Sequence, residues 1–121
     1  MGKNKSINPQ RGEIYLVNFD PSIGSEIKKT RPALILQNNI SNIYSQITMV
    51  AAISSKFDEK LYPTEVLIIA KEGGLDRDSV VLLNQIRSID KQRLIKCLGS
   101  LTTETMKQVD RAIKISLGVM D

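Results

Sequence analysis

The stretch ALILQNNISNIYSQITMVAAI covers residues 33–53 and contains two apolar runs joined by a polar link. The runs, 33–36 and 47–53, have the length of strands and include β-branched residues, so they predict buried β-strands. The link is rich in Asn and Ser, which is typical of a turn. This pattern favours a mainly β protein.

Further runs of strand length lie on both sides of this stretch. Their β-branched and aromatic residues, bounded by turn residues, predict strands at 12–19, 64–70, 79–83, 85–89 and 96–101. Pro63 suits the start of a strand because it has no backbone N–H to donate. A helical turn is expected over residues 90–94.

The end of the chain carries the one pattern that firmly predicts a helix. Apolar residues recur with helical spacing at Met106, Val109, Ala112, Ile113 and Leu117. Thr102 or Thr103 can cap the N-terminus of this helix, and Gly118 can end it. Six or seven short strands with one terminal helix predict a small, strongly bent antiparallel β-barrel. We expect residues 1–10 to be a loose tail and 11–121 to form a single domain.

Length and composition limit the class of protein. The chain has 121 residues, 41% of them hydrophobic, which suits one domain with one core. Its apolar runs are far shorter than the ~20 residues that a membrane-spanning helix needs. The polar, basic N-terminus has no apolar segment of the kind that secretory signals contain. A lone cysteine, Cys97, cannot form an internal disulfide, so we expect packing at Cys97 and a reducing cytoplasm around the protein.

The charged and reactive residues narrow the function. Lys and Arg number 17 against 13 acidic residues, a net charge of +4 that is compatible with nucleic acid or an acidic protein partner. The chain has no histidine, which excludes a Ser-His-Asp triad and any zinc site that uses histidine. Neither GxxxxGK[ST] nor GxGxxG occurs, so we expect no nucleotide cofactor, and we expect no metal.

Residues 20–32, DPSIGSEIKKTRP, form a turn-rich cationic loop between two predicted strands. Lys28, Lys29 and Arg31 follow one another within four positions. The proline after Arg31 biases this arginine toward extended backbone. A guanidinium held at the start of a strand suits phosphate, because its fork of donors matches the phosphate oxygens.

Seven blocks of sequence, in order, resemble the MazF/PemK family of toxin endoribonucleases, and in particular its members from Gram-positive bacteria. The blocks are RGEIY (11–15), GSE (24–26), RPALI (31–35), VAAIS (50–54), PTEV (63–66), DSVV (78–81) and NQIRSID (84–90). The resemblance implies a CcdB/PemK-like, SH3-like barrel with a C-terminal helix. It also implies a homodimer that cuts single-stranded RNA without a metal and is silenced by an antitoxin peptide lying across the RNA groove.

The resemblance implies three catalytic residues. Arg31 corresponds to the family's catalytic arginine and would hold the non-bridging phosphate oxygens. Ser54 stands where the family has a threonine, and its hydroxyl would donate to the phosphate; the alternative is a strand-end serine that bonds its own backbone. Glu26 matches the family's acidic position and would act as a base or orient Arg31; the alternative is a solvated loop acid.

The resemblance also implies an RNA-binding surface. Its residues are Lys28, Lys29, Leu61, Pro63, Ser79, Asn84 and Gln85. Amides suit base recognition because they both donate and accept hydrogen bonds. Of the aromatic residues, Tyr15 and Phe19 are expected in the core, whereas Tyr44, Phe57 and Tyr62 are candidates for base stacking.

Two other functions remain open at this stage. The first is a gyrase-binding toxin on the same barrel, which would act through its C-terminal helix and not through Arg31. The second is a non-catalytic RNA-binding barrel, for which a modest positive charge would suffice. Homodimerisation rests on the resemblance, with the apolar residues 113–119 as a candidate contact.

Overall fold

The structure is a computed structural model that describes residues 7–19 and 30–119. Its strands are β1 (Glu13–Asn18), β2 (Thr30–Ile35), β3 (Ile47–Ser54), β4 (Glu65–Ile68), β5 (Ser79–Asp90) and β6 (Leu94–Ser100). Its helices are α1 (Asn39–Tyr44) and α2 (Thr103–Leu117). Short 3₁₀ turns cover Glu72–Gly74 and Lys91–Arg93.

The six strands form one antiparallel sheet in the order β4-β5-β3-β2-β1-β6. The predicted mainly β architecture with a C-terminal helix is confirmed. Within the described residues β4 and β6 are the edges of the sheet, so the pairing is an open series and not a closed hydrogen-bonded ring. The helical turn expected near residues 90–94 is present as the second 3₁₀ turn.

Strand β5 is longer than predicted. Residues 79–83 and 85–89 were expected as two strands, but they belong to one strand of 12 residues that pairs with both β3 and β4. The register against β3 shifts between Ala51 and Ile53, opposite the polar pair Asn84 and Gln85. A bulge bends a strand without ending it, so the polar pair marks a bend and not a break.

The prediction of a simple turn between β2 and β3 is wrong, because this link contains helix α1. Asn38 caps the helix by accepting a hydrogen bond from the Ser41 N–H at 2.8 Å. A six-residue helix is too short to be stable from propensity alone. Its stability therefore has to come from contacts with the sheet.

Three buried polar residues supply those contacts. The Asn42 Oδ1 accepts from Gln37 Nε2 at 2.9 Å and from Thr48 Oγ1 at 2.8 Å. The Asn42 Nδ2 donates to the Gln37 carbonyl at 2.9 Å, and Gln37 Nε2 also donates to the Ile47 carbonyl at 2.8 Å. All three side chains are buried, and their mutual bonds hold α1 against the ends of β2 and β3.

Helix α2 begins and ends as the sequence predicts. The Thr102 hydroxyl accepts from the Thr105 N–H, and Gly118 adopts the left-handed conformation that ends the helix. Val109 and Ala112 are buried in the larger core cluster, together with residues of the sheet. Leu117, which was expected in the apolar stripe, is exposed.

The last turn of α2 meets the sheet through a different residue. The Ser116 hydroxyl donates to the Leu83 carbonyl at 2.7 Å, so Ser116 faces β5. Leu117 is the next residue around the helix axis and therefore points elsewhere. Among the described residues, no helix has the length and apolar character needed to cross a membrane.

Candidate active site

A cleft of about 480 Å³ opens where β2 begins and β3 ends, beside the segment that leads into β5. Its lining residues are Thr30, Arg31, Pro32, Ile53, Ser54, Ser55, Lys56, Leu75, Asp76, Arg77 and Ser79. The cleft thus joins three segments that are far apart in the sequence.

Arg31 and Ser54 line this same cleft because of the pairing between β2 and β3. Ala33 pairs with Ala52 in the antiparallel register. The pairing of the described residues ends at this pair, and Arg31 and Ser54 lie two residues beyond it on their strands, where the cleft opens. Side chains alternate across a strand, so both residues lie on the same face as the pair that precedes them.

The cleft is strongly cationic, and no described residue pairs with its cations. Among the described residues, no hydrogen bond or ion pair engages the guanidinium of Arg31 or Arg77, or the ammonium of Lys56. One carboxylate, Asp76, lines the same cleft. Three cations against one acid create a positive potential that attracts phosphate.

The Ser54 hydroxyl is held by the backbone two residues ahead. Its Oγ accepts from the Lys56 N–H at 3.0 Å and donates to the Lys56 carbonyl at 3.1 Å. A hydroxyl has one proton, so donation to a phosphate requires that this proton leave the Lys56 carbonyl. The amide of Lys56 can keep the oxygen in place meanwhile, which restrains the serine as a threonine methyl group would.

Three of the predicted site residues lie outside the described residues. They are Glu26, Lys28 and Lys29, whose positions in the sequence fall between β1 and β2.

Of the residues predicted on β5, only Ser79 reaches the cleft. Ser79 is buried, and its hydroxyl donates to the Arg77 carbonyl at 3.0 Å. Asn84 and Gln85 are exposed on β5 and do not line the cleft. The structure therefore separates Ser79 from the two amides with which it was grouped.

A second, shallower concavity of about 620 Å³ continues from the cleft. It shares Ser55 and Lys56 with the cleft and is completed by Phe57, Asp58 and Glu65. The Glu65 Oε1 accepts from the Tyr62 N–H at 3.0 Å, which ties the segment before β4 to this concavity.

The predicted RNA-contacting residues Leu61 and Pro63 flank the exposed Tyr62 in that segment. Phe57 is partly exposed within the second concavity. The cleft and the surface predicted to cover RNA are thus neighbours.

Sequence reasoning missed three charged lining residues: Lys56, Asp76 and Arg77. Arg77 stands between two aspartates in a segment that predicts a solvated turn, so its charge pattern is typical of an ordinary surface. The position of Arg77 could have pointed to the site, because Arg77 immediately precedes the DSVV block at 78–81. Residues next to the start of a strand often line the same edge as the strand end beside it.

Two other reactive side chains lie near β6, away from the cleft. Burial, and then the charge of Glu13, raises the pKa of Tyr15 to about 12. The same two causes raise the pKa of the Cys97 thiol, so this thiol is a weak nucleophile at neutral pH. The packing expected for Cys97 is wrong, since its side chain is exposed on β6.

Two aromatic residues, Tyr15 of β1 and Phe19 just after this strand, follow expectation more closely. Tyr15 is buried in the smaller core cluster. Phe19 packs partly against that cluster, with the Arg87 guanidinium 5.0 Å from its ring centroid. Tyr44 is among the most exposed aromatic residues described.

Fold and site together define a small β-sheet protein with a C-terminal helix and a cationic cleft suited to phosphodiesters. The family model described as "PemK-like, MazF-like toxin of type II toxin-antitoxin system" matches residues 10–117. The chain belongs to this family, which confirms the resemblance found in its sequence blocks.

Individual relatives agree with this membership. The chain is 46% identical over 112 residues to "Endoribonuclease EndoA" of Bacillus subtilis (strain 168), covering 93% of this chain and 97% of the relative. It is similar to MazF (Form-I) from Deinococcus radiodurans, with a TM-score of 0.75, 28% identity, and coverage of 93% and 98% of the two chains. It is also similar to MazE-MazF (Form-II) from Deinococcus radiodurans, with a TM-score of 0.77, 26% identity, and coverage of 94% and 99%.

Proposed function

We propose that this chain is the toxin of a type II toxin-antitoxin system and a sequence-specific endoribonuclease that cuts single-stranded RNA, including mRNA. The observation that carries the proposal is the shared cleft: Arg31 and Ser54 face one cationic space at the ends of paired strands. The similarity to a protein named as an endoribonuclease supports the same conclusion.

The reaction is an in-line attack by the 2′-hydroxyl on the neighbouring phosphate. A bond forms between O2′ and phosphorus while the bond from phosphorus to O5′ breaks. The 2′-hydroxyl loses a proton and O5′ gains one, which leaves a 2′,3′-cyclic phosphate and a 5′-hydroxyl. No redox step and no metal is required.

The residues of the cleft supply charge stabilisation. The Arg31 guanidinium holds the non-bridging oxygens, and the Ser54 hydroxyl turns from the Lys56 carbonyl to donate a further hydrogen bond. Glu26 acts as a base or orients Arg31. Stabilisation of this kind is commonly the largest single contribution to catalysis of phosphate chemistry.

The RNA extends from the cleft along the neighbouring surface. Lys28 and Lys29 neutralise its backbone, and Leu61 and Pro63 cover it. Ser79, Asn84 and Gln85 contact bases. The second concavity continues from the cleft through Lys56 and contains Phe57, which supports this path and the stacking of a base on Phe57.

The protein acts in the cytoplasm with two protein partners, a cognate antitoxin and a second copy of itself. A similar protein has been solved as a MazE-MazF complex, which supports the antitoxin.

The second copy is expected to bind at an uncharged surface. Residues 32–55 contain no charged residue, and the exposed Ile40, Ile43 and Tyr44 lie within them. Copies that each carry +4 repel one another least across an uncharged, apolar surface. The exposed Ile40, Ile43 and Tyr44 are therefore a better dimer contact than the exposed side chains within residues 113–119, which lie at the end of a helix with many charged residues.

The decisive experiment incubates a long RNA with the purified protein in excess chelator and maps the fragment ends. We expect cuts at a short recurring sequence, with cyclic phosphate and 5′-hydroxyl ends. Arg31→Ala should lower the cleavage rate by about 10²- to 10³-fold, since it removes a donor to the developing charge. The melting temperature should not change, because no described residue bonds this guanidinium.

Arg111→Ala on the exposed side of α2 is the charge-matched control and should cut normally. If Arg31→Ala cuts as fast as this control, the proposed roles are wrong. RNA binding without scission would indicate the non-catalytic barrel. Inhibition of DNA supercoiling without RNA cleavage would indicate the gyrase-binding toxin.

A further inference from the structure

We propose that Arg77 binds a second backbone phosphate of the RNA, the one next to the scissile phosphate. The inference rests on the proposed function for its substrate, and it adds a subsite on the far wall of the same cleft. Three independent observations support it: the position of Arg77 just before β5, the bonding of its neighbours, and the packing of the turn that precedes it.

Strand order places Arg77 on the opposite side of Ser54 from Arg31. Strand β3 lies between β2 and β5, and Ser54 pairs with Val80 of β5. Two strand spacings of ~4.8 Å therefore separate the backbone of Arg31 from that of β5, or about 10 Å in total. A phosphate held between Arg31 and Ser54 leaves the Arg77 side free for the next phosphate along the chain.

Three residues around Arg77, namely Leu75, Asp78 and Ser79, are held by packing or hydrogen bonds, whereas no described residue holds its guanidinium. The Asp78 Oδ1 accepts from the Ala70 N–H at 2.8 Å, and the Ser79 hydroxyl donates to the Arg77 carbonyl at 3.0 Å. Leu75 is buried in the larger core cluster. Within the described residues the guanidinium has no partner and is exposed, although Asp76 and Asp78 flank it in sequence.

The turn before Arg77 is packed too tightly to move freely. A Cβ at Gly74 would collide with the Leu98 carbonyl of β6, so backbone meets backbone there. The Glu72 Oε2 accepts from the Thr102 N–H at 3.1 Å, which ties the turn to the N-terminus of α2. Lys71 adopts a φ of 88°, a strained value for a residue with a side chain. Such strain is retained where surrounding structure fixes the backbone, and it clusters at functional sites.

The Arg77 guanidinium extends from a tightly packed segment and is bonded by no described residue, so it is available to bind an anion. A structural arginine would pair with a carboxylate, as Arg11 does with Asp110 at 2.7 Å. Arg77 lines the cleft together with Arg31 and Lys56, and these like charges repel until an anion lies between them. A sugar–phosphate backbone supplies anions at regular intervals and so satisfies Arg31 and Arg77 together.

The first test measures steady-state cleavage of a short RNA that contains one mapped cut site. Arg77→Ala should raise KM by about 10- to 100-fold, the effect of losing a charged hydrogen bond. Its kcat should stay within about twofold, because the contact is made equally in ground and transition states. The slope of log Kd against log salt should fall by about 0.7, the value for one phosphate of a single strand. Arg77→Lys should restore part of the binding, and Arg111→Ala should show none of these changes.

The second test identifies the phosphate. Neutral methylphosphonate replaces, in turn, the phosphate on the 5′ side and on the 3′ side of the cut. One replacement should raise KM for the wild-type chain but cause no further rise in Arg77→Ala, because both changes remove one interaction. Fully additive effects at both positions would overturn the proposal. So would a fall in kcat at unchanged KM, which would place Arg77 on the reacting phosphate, or behaviour identical to Arg111→Ala.

Binding of an RNA with a 2′-deoxy residue at the cut site separates this proposal from the catalytic one. Such an RNA cannot be cleaved, so its Kd reports phosphate contacts alone. If the wild-type chain binds this RNA yet cuts no RNA at all, the catalytic proposal fails while the Arg77 comparison still gives an answer. If Arg77→Ala binds it as tightly as the wild-type chain does, the subsite does not exist.

Discussion

The two ends of the β2–β3 pair differ in how their polar side chains are bonded. At the α1 end, Gln37, Asn42 and Thr48 are buried and bonded to one another. At the other end, Arg31 and Ser54 face an open cleft in which the described residues leave the guanidinium without a partner. The same two strands thus carry a closed polar network at one end and an unsatisfied cationic surface at the other.

The difference shows that one end of the strand pair contributes mainly to stability and the other mainly to binding. A buried network with every donor and acceptor matched fixes one geometry, and breaking it leaves polar groups unpaired. An exposed cation without a partner contributes little to folding but keeps its full interaction for an incoming phosphate. We therefore expect substitutions at the α1 end to change stability and substitutions at the cleft end to change activity.

An effect as large as that of Arg31→Ala should come from Ser54. Ser54→Ala removes the donor to the phosphorane and should lower kcat by about 10²- to 10³-fold. The melting temperature should change little, since within the described part of the chain the hydroxyl bonds only the backbone of Lys56 two residues away. Ser54→Thr keeps the hydroxyl and should cleave within a few-fold of the wild-type rate. Ser55→Ala is the matched control, and an equal loss of kcat in this exposed neighbour would show that the effect is not specific to the hydroxyl of Ser54.

A smaller but clear effect on stability should follow from Asn42. Asn42→Ala leaves the buried amide of Gln37 and hydroxyl of Thr48 without their shared acceptor, which should lower the free energy of unfolding by about 2–4 kcal/mol. Urea denaturation measures this change. Cleavage per folded molecule should remain at the wild-type level. Ile69→Ala, an exposed position outside the proposed dimer surface, should shift stability by less than ~0.5 kcal/mol. Equal losses in the two variants would mean that the network does not stabilise this end.

The sequence predicts the elements whose signals are local. Helix α2 has its cap at Thr102 and its stop at Gly118, and both act through the adjacent backbone. Helix α1 has no comparable signal. It exists because Asn42 bonds Gln37 and Thr48, and these contacts form only when β2 and β3 are already paired. The polar pair in β5 misleads for a related reason, since a bulge and a turn have similar local composition.

The candidate site also contains some residues that the sequence indicates and others that only tertiary packing brings together. Family resemblance points to Arg31 and Ser54, but their closeness is a product of strand register, which no local pattern determines. Arg77 joins the cleft only because the turn before β5 is packed against β6. In the sequence its two flanking aspartates indicate a solvated surface. Residues that tertiary packing brings together are therefore the ones that sequence reasoning misses.

The smallest expected effect concerns Tyr15, which pairs with Ala33 in the middle of β2 and so lies between the two ends. Burial, followed by the charge of Glu13, raises its pKa from 10.0 to about 12. Below pH 10 the phenol is protonated whether the chain is folded or unfolded, so its contribution to stability is complete. As pH rises from 10 towards 12, the unfolded chain loses this proton first, and the free energy of unfolding must fall.

Because Tyr15 lies between both ends of the strand pair, cleavage activity and the protection of α1 from hydrogen exchange should be lost together as pH rises. Tyr15→Phe should flatten the decline in stability over this range, whereas Tyr62→Phe, at an exposed position outside the proposed dimer surface, should not. A decline of equal steepness in the wild-type chain and Tyr15→Phe would show that another group controls alkaline unfolding.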